Sequence, residues 1–463
     1  MQKQGIVYTG IRRKTMLKRK IDAVFEKFYT DTSRKALLLT GARQVGKTYS
    51  VRKFGRERYE SFVEFNFIKN QEACSIFKNV SDEHDILLRI SALTEVKLIP
   101  GKTLIFFDEV QVCPEAITFI KFLVEEGSYR YILSGSLLGV ELKNIRSVPV
   151  GFMSEAQMFP LDFEEFVRAN GVGDEIIEHL RNSFEKRQSP DSVVHNKMLR
   201  YHMLYLVTGG MPAVVQKYIN TNDLQQVFDE QRAIVREYMR DVTQYDERLK
   251  MRLRHIYSLI PSELNKHNKR FLLKNISIRG RFDRAESDFI WLKAAGIAIP
   301  VYNVDEPKVP LELARKSNLF KLFMNDVGLL CSLYMGGLQL KILNGETDIN
   351  FGAVYENYVA QELNAHGFET VYYYNSKKHG EVDFLIERNG AVLALEAKSG
   401  KSFMTHAALD NLMQQSDFDI PSAVVLSKSG EIQLHGKTTY FPVYFLMFIE
   451  QQELKSPLIY KID

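Results

Sequence analysis

Three groups of residues in this 463-residue chain combine types and spacings that chemistry demands. The first is GARQVGKT at 41–48, directly behind the apolar run KALLLT. The pattern GxxxxGK[ST] lets a chain wrap phosphates with its backbone N–H groups, so Gly41, Ala42, Arg43, Gln44, Val45, Gly46, Lys47 and Thr48 are the expected nucleotide-binding residues. Lys47 bridges the terminal phosphates and Thr48 offers its hydroxyl to Mg²⁺. The second group is the carboxylate pair Asp108 and Glu109 that closes KTLIFFDEVQ, about sixty residues further on. A buried parallel strand delivers such acids to the edge from which a phosphate loop also emerges. Asp108 is then a second Mg²⁺ ligand and Glu109 the group that orients or deprotonates the attacking water. Ser134 and Ser136, around Gly135 at the end of the apolar run YRYILSGS, are placed to sense the γ-phosphate. The expected catalytic residues are Glu109, Lys47 and Ser134, with ATP and Mg²⁺ as cofactors.

The third group lies near the C-terminus, in YYYNSKKHGEVDFLIERNGAVLALEAKSG. The strand period of two puts Glu396 and Lys398 on one face. Asp383 and Glu396 can hold a second divalent metal, with Glu356 of GAVYENYVAQEL approaching from the preceding helix. Lys398 then activates water or stabilises a phosphate transition state. The same residues also suit a salt-bridged hairpin in a domain used for interaction alone.

Elements must exist to carry these residues. Behind the phosphate loop, TYSVRKF reads as helix and SFVEFNF at 61–67 as a strand, so strands and helices alternate. Apolar strands ending in phosphate, carboxylate and hydroxyl chemistry predict a doubly wound parallel α/β sheet over residues 1–165. Residues 166–247 have helical spacing and read as a lid, in which Gly209, Gly210 and Pro212 punctuate a turn with no chemistry of its own. Residues 248–340 read as a winged helix, with a third helix over 287–295 and a wing starting at Ile297–Val304. Residues 341–463 form a second α/β domain. In this domain, Glu381, Asp383 and Phe384 share a strand, 388–390 turn, and Val392–Lys398 return as its hairpin partner.

Composition bounds the rest. The chain is 45% hydrophobic, 25% charged and 11% aromatic, which is the balance of a folded protein with room for two to four domains. No apolar run approaches the ~18 residues of a membrane span, and MQKQGIVYTGIRRK lacks a signal-peptide core. Three isolated cysteines, Cys74, Cys113 and Cys331, form no disulfide framework, and a reducing cytoplasm is the expected setting. The net charge of +4 is uneven: residues 248–284 hold eleven Lys or Arg against two acids, a local balance of +9, which leaves −5 elsewhere. Such asymmetry suits a polyanion such as DNA, or an acidic partner domain. The basic run RRKTMLKRK at 12–20 reads as a solvated helix face. Glu286 and Asp288 in the third helix argue against base reading there.

The stretches GARQVGKT, LIFFDEVQ, ILSGS, MFPLDFEEF at 158–166, VTGGMPAVV at 207–215 and FKLFMNDVGLL at 320–330 together resemble a bacterial and archaeal family of AAA-type ATPases. That family joins the nucleotide-binding core to a C-terminal domain of restriction-endonuclease-like fold, whose D…ExK pattern Asp383, Glu396 and Lys398 reproduce. The resemblance implies ATP binding, a sensor-1 role for Ser134 and no particular biological role. Ring-forming relatives supply an arginine from a neighbouring subunit, so a homo-oligomer is an expected partner, although none of Arg43, Arg130, Arg146 and Arg168 can be assigned to that role. The leading expectation is a Mg²⁺-dependent ATPase driving winged-helix and nuclease-like modules that act on DNA. The alternatives are an ATP-regulated DNA endonuclease and an ATP-switched protein scaffold with an inactive nuclease-like domain.

Overall fold

The computed structural model describes residues 17–135, 151–241, 247–266, 268–272, 282–334, 337–346, 352–400, 402–418 and 420–451. Ser136, Arg146 and, within the basic 248–284 segment, residues 267 and 273–281 lie outside these residues. The first sheet comprises β1 (Ala36–Thr40), β2 (Ser61–Asn66), β3 (Thr103–Asp108), β4 (Arg130–Ser134) and β5 (Met153–Gln157) in the order β2-β3-β4-β1-β5. Every pairing is parallel. Parallel strands are covered on both faces, which is why ALLLT and TLIFFD are buried at every position. Alternate residues serve different cores. Leu37, Leu39, Leu104 and Phe106 face one core, and Leu38, Ile105, Phe107 and Leu133 the other.

The second sheet has eight strands, β6 (Ala298–Val304), β7 (Arg315–Met324), β8 (Val371–Ser376), β9 (Gly380–Arg388), β10 (Ala391–Ala397), β11 (Ser422–Ser427), β12 (Gln433–His435) and β13 (Thr438–Pro442). Their order is β12-β13-β11-β10-β9-β8-β6-β7. Asn389 and Gly390, with φ of 55° and 75°, form the tight turn between β9 and β10, as the asparagine–glycine pair predicts. The 297–304 hairpin is not a free wing. Its strand β6 pairs antiparallel with β7 but also parallel with β8, from Val301↔Val371 to Val304↔Tyr374. The boundary expected at 340/341 therefore falls inside one sheet, because the apolar edge of β6 finds a hydrogen-bonding partner in β8.

Helices between Phe163 and Asp241 bridge the two sheets. One hydrophobic core runs through all three parts, from Phe25 and Leu39 through Tyr205 and Val214 to Tyr358 and Phe384. The helix Phe163–Ala169 begins with a capping box in which Asp162 and Glu165 satisfy each other's backbone N–H groups.

Candidate functional site

The loop 41–48 leaves β1 and enters the helix Lys47–Arg58 as expected. Gly41 has φ of 133°, and a Cβ there would lie 2.1 Å from the Met158 carbonyl oxygen, so no other residue fits. Lys47 Nζ donates to the carbonyls of Gly41 (2.8 Å) and Ala42 (2.7 Å). Its burial pulls the ammonium down to a pKa of about 8, against the attraction of Glu109 and Asp108.

Asp108 is the hub. It is 1% exposed and accepts from Thr48 Oγ1 (3.0 Å), Asn66 Nδ2 (2.8 Å) and the Ser134 hydroxyl, while the Glu109 N–H reaches its Oδ1 at 3.2 Å. The register explains the meeting: Asn66, Asp108 and Ser134 are aligned across the ends of β2, β3 and β4. Burial raises the Asp108 pKa, opposed by the hydrogen bonds from Ser134, Thr48 and Asn66. A buried carboxylate beside a loop hydroxyl fits Mg²⁺. Glu109, half-buried, sits at a left-handed φ of 58° and accepts from Gln111 Nε2 at 2.6 Å. A non-glycine residue in that region is strained, and such strain clusters at working sites.

Four further residues take part around the loop without belonging to its motifs. Asn66 ends the alternating strand SFVEFN, and a polar residue at that edge was the available signal. Arg19 donates to Val45 O (2.9 Å), Phe159 O (2.6 Å) and Glu165 Oε1 (3.1 Å), so the basic run is not wholly a solvated face. Lys20 pairs with Asp162 and Glu450. Tyr238 donates to Arg43 O at 3.1 Å. Of the arginines considered as fingers, Arg130 is held by Phe28 and Asp31 carbonyls and Arg168 by Glu164 and Asp174.

Three of the sequence motifs meet behind this loop. Leu161 N donates to Gly210 O (2.7 Å), and Gly210 N donates to Asp326 Oδ2 (2.6 Å). A Cβ on Gly210 would lie 1.9 Å from Leu161 O, so Gly210 does more than turn the chain. Glu362 accepts from Phe163 N and Tyr205 O–H, both at 3.1 Å, and Gln361 links Tyr205 (2.7 Å) to Val327 N (2.7 Å). Burial pushes Asp326 up to about 6, partly opposed by backbone N–H groups of Gly210, Leu329, Gly328 and Met211. Burial, then Asp162, push Glu362 well above the usual carboxylate range.

In the second sheet the four expected residues do converge. Asp383 N donates to Glu396 Oε2 (3.3 Å), Ala397 N to Asp383 Oδ2 (2.9 Å), and Lys398 Nζ to Glu396 Oε1 (2.7 Å). Burial, then Glu396 and Glu356, raise Asp383 well above the usual range. The unforeseen member is Lys321 on β7. Fully buried, it reaches Glu356 Oε2 at 3.2 Å and Glu381 Oε1 at 2.7 Å, while Lys269 also pairs with Glu356. The pull of these two lysines outweighs the effect of burial and lowers Glu356. Among the described residues no three His, Cys, Asp or Glu side chains are arranged to hold a metal ion, so the second metal is not seen in this geometry. The basic segment is also partly spent internally. Arg252 makes two bonds to buried Asp288, at 2.8 and 2.7 Å, and Lys266 pairs with Glu263.

Residues 33–167 match the profile of an AAA domain. This part of the chain is similar to an AAA domain. Residues 200–342 and 351–446 match two domains of unknown function, DUF8612 and DUF4143. No curated protein matches the sequence. Among solved structures, the chain is similar to the Aeropyrum pernix ORC1 protein in complex with DNA, at 12% identity over 68% of this chain and 92% of that one, with a TM-score of 0.28. It is also similar to the Thermotoga maritima RuvB Holliday junction branch migration motor, at 11% identity over 60% of this chain and 87% of that one, with a TM-score of 0.27. Scores this low carry no functional weight. Among the described residues no helix is long and apolar enough to cross a membrane.

Proposed function

We propose that this protein is a Mg²⁺-dependent ATPase whose nucleotide site governs a C-terminal half acting on nucleic acid. The observation that carries the first part is the donor set around Asp108, where loop hydroxyl, strand-end amide and sensor serine converge on one buried carboxylate. Lys47 exchanges its two carbonyl partners for the terminal phosphates, and Thr48 and Asp108 would hold Mg²⁺. When bound, the ion neutralises charge developing on the β- and γ-phosphate oxygens. Glu109 orients the attacking water and takes its proton, and Gln111 fixes the Glu109 carboxylate. Ser134 links the γ-phosphate side to Asp108. Phosphate release by purified protein tests this: Glu109→Gln keeps ATP binding and loses about 10²–10⁴ in turnover. Unchanged turnover removes Glu109 from the mechanism.

For the C-terminal half, we infer a restriction-endonuclease-like hairpin, resting on the meeting of Glu356, Asp383, Glu396 and Lys398. Lys321 favours the reading in which this hairpin binds but does not cut, because its ammonium already neutralises Glu356 and Glu381. Plasmid and oligonucleotide cleavage with Mg²⁺ or Mn²⁺ separates the two. Cleavage lost in Asp383→Ala and Lys398→Ala makes the hairpin a nuclease, and no cleavage by the wild type makes it a binding module.

A further inference from the structure

An open cleft of about 1270 Å³ lies between the helix Ser192–Thr208 and the second sheet, reaching the loop that follows Lys398. Its walls carry Lys197, Arg200 and Lys428 together with Tyr201, Tyr218 and Phe403. No Asp or Glu lines it among the described residues. Among the described residues none of the three cations pairs with a carboxylate within this cleft. Lys428 is half-buried with its Nζ 5.8 Å from the Tyr355 ring centre. Lys197 and Arg200 are exposed, and a half-buried cation such as Lys428 without a counter-charge is one that an anion from outside would satisfy.

We propose that this cleft binds a single strand of nucleic acid, an inference that rests on the reading of the C-terminal half as acting on nucleic acid. The volume exceeds the ~300–1,000 Å³ of small-molecule pockets, which suits a polymer. Phosphates need separated cations along a groove, and unstacked bases need aromatic faces. Lys197, Arg200 and Lys428 supply the former and Tyr201, Tyr218 and Phe403 the latter. A duplex keeps its bases stacked inward, away from such faces. Ser399 and Gly400 form part of the wall, so a bound strand passes next to Lys398 and Glu396. The placement gives the acid and lysine cluster a substrate, or a docked ligand, without invoking the basic 248–284 segment.

Fluorescence anisotropy of the full chain with labelled oligothymidylate, oligouridylate and a duplex of equal length tests this. Three phosphate contacts predict a log K against log salt slope near −2, since each contributes about −0.7 on single strands. The double variant Lys197→Gln/Arg200→Gln reduces the slope magnitude by about 1.4, and Phe403→Ala weakens binding about tenfold. Thermal melts confirm that each variant is folded. Binding of either single strand with these responses supports the proposal, and the preferred strand identifies the sugar. Four results overturn it: no strand bound at low salt, binding indifferent to the variants, a duplex preferred over both strands, or polyglutamate competing as well as the oligonucleotides. ATP turnover measured on the same wild-type preparation reports on the nucleotide site independently, and duplex binding reports on the rest of the C-terminal half. Failure of the cleft is thus distinguishable from failure of the wider reading.

Discussion

Lys47 offers a quantitative test of the nucleotide site, because its charge must be rebuilt when phosphate arrives. Without ligand its pKa is about 8, set by burial among loop carbonyls. A triphosphate beside the ammonium favours the charged form and restores a pKa at or above the usual ~10.5. At pH 9 only about one-tenth of the free protein carries the charge, so affinity falls roughly tenfold relative to pH 7, or ~1.4 kcal/mol. Binding at pH 9 must therefore take up close to one proton per site. Calorimetry with a non-hydrolysable ATP analogue, in two buffers of different ionisation enthalpy, counts that proton. The linkage also appears in stability. With the folded pKa depressed, the unfolded chain binds the extra proton between pH 8 and 10.5, so the ligand-free protein gains on the order of 3 kcal/mol as pH rises through that window. Lys47→Met removes both effects. No proton uptake at pH 9, or equal uptake in Lys47→Met, refutes the reasoning.

Other predictions follow from the junction and the second sheet. Gly210→Ala drives a methyl group into Leu161 O and costs ~3 kcal/mol or more in urea unfolding, with no change expected from a surface alanine. Asp326 titrates at about 6 when folded, so its stabilising contribution is complete below pH 4 and is lost as pH rises through 6. Asp326→Asn therefore gains ~3 kcal/mol relative to wild type between pH 4 and pH 7, read from paired urea curves. Lys321→Gln frees Glu381 and leaves Glu356 paired with Lys269, and Mn²⁺ stabilises this variant but not wild type, by ~2.7 kcal/mol at a hundredfold excess over Kd, read from thermal melts.

Local chemistry was legible in the sequence wherever a motif fixed both residue type and spacing. The loop 41–48, Asp108, Glu109 and Ser134 lie on the strand ends that buried apolar runs predicted, and the turn at 388–390 brings Asp383 N within 3.3 Å of Glu396 Oε2. Contacts between distant segments were not legible. Arg19 looked solvated because the run around it is basic, yet its guanidinium satisfies Val45 and Phe159 carbonyls more than twenty residues away. Lys321 sat in an apolar stretch, FKLFM, where nothing local signals that its ammonium meets Glu356 and Glu381. The β6–β8 pairing joins strands about seventy residues apart, and no periodicity carries that information.

The packing around the loop also bears on how the two halves communicate. Pro212 lies within 3.8 Å of the space a side chain would occupy at Gly46, and Gly296, two residues before β6, has its equivalent space 3.0 Å from Ala42 N. A loop that rearranges around phosphates must therefore displace, or be opposed by, two elements. One is the turn that ends the cleft-forming helix Ser192–Thr208. The other is the start of β6, whose partner β7 carries Lys321. Behind both, Asp326 is bonded to Gly210, so the segments cannot move independently without exposing a buried carboxylate. Interiors packed this closely shift as units rather than deform smoothly. Coupling of this kind is reciprocal: whatever factor nucleotide applies to strand affinity in the cleft, a bound strand must apply to nucleotide affinity at Lys47.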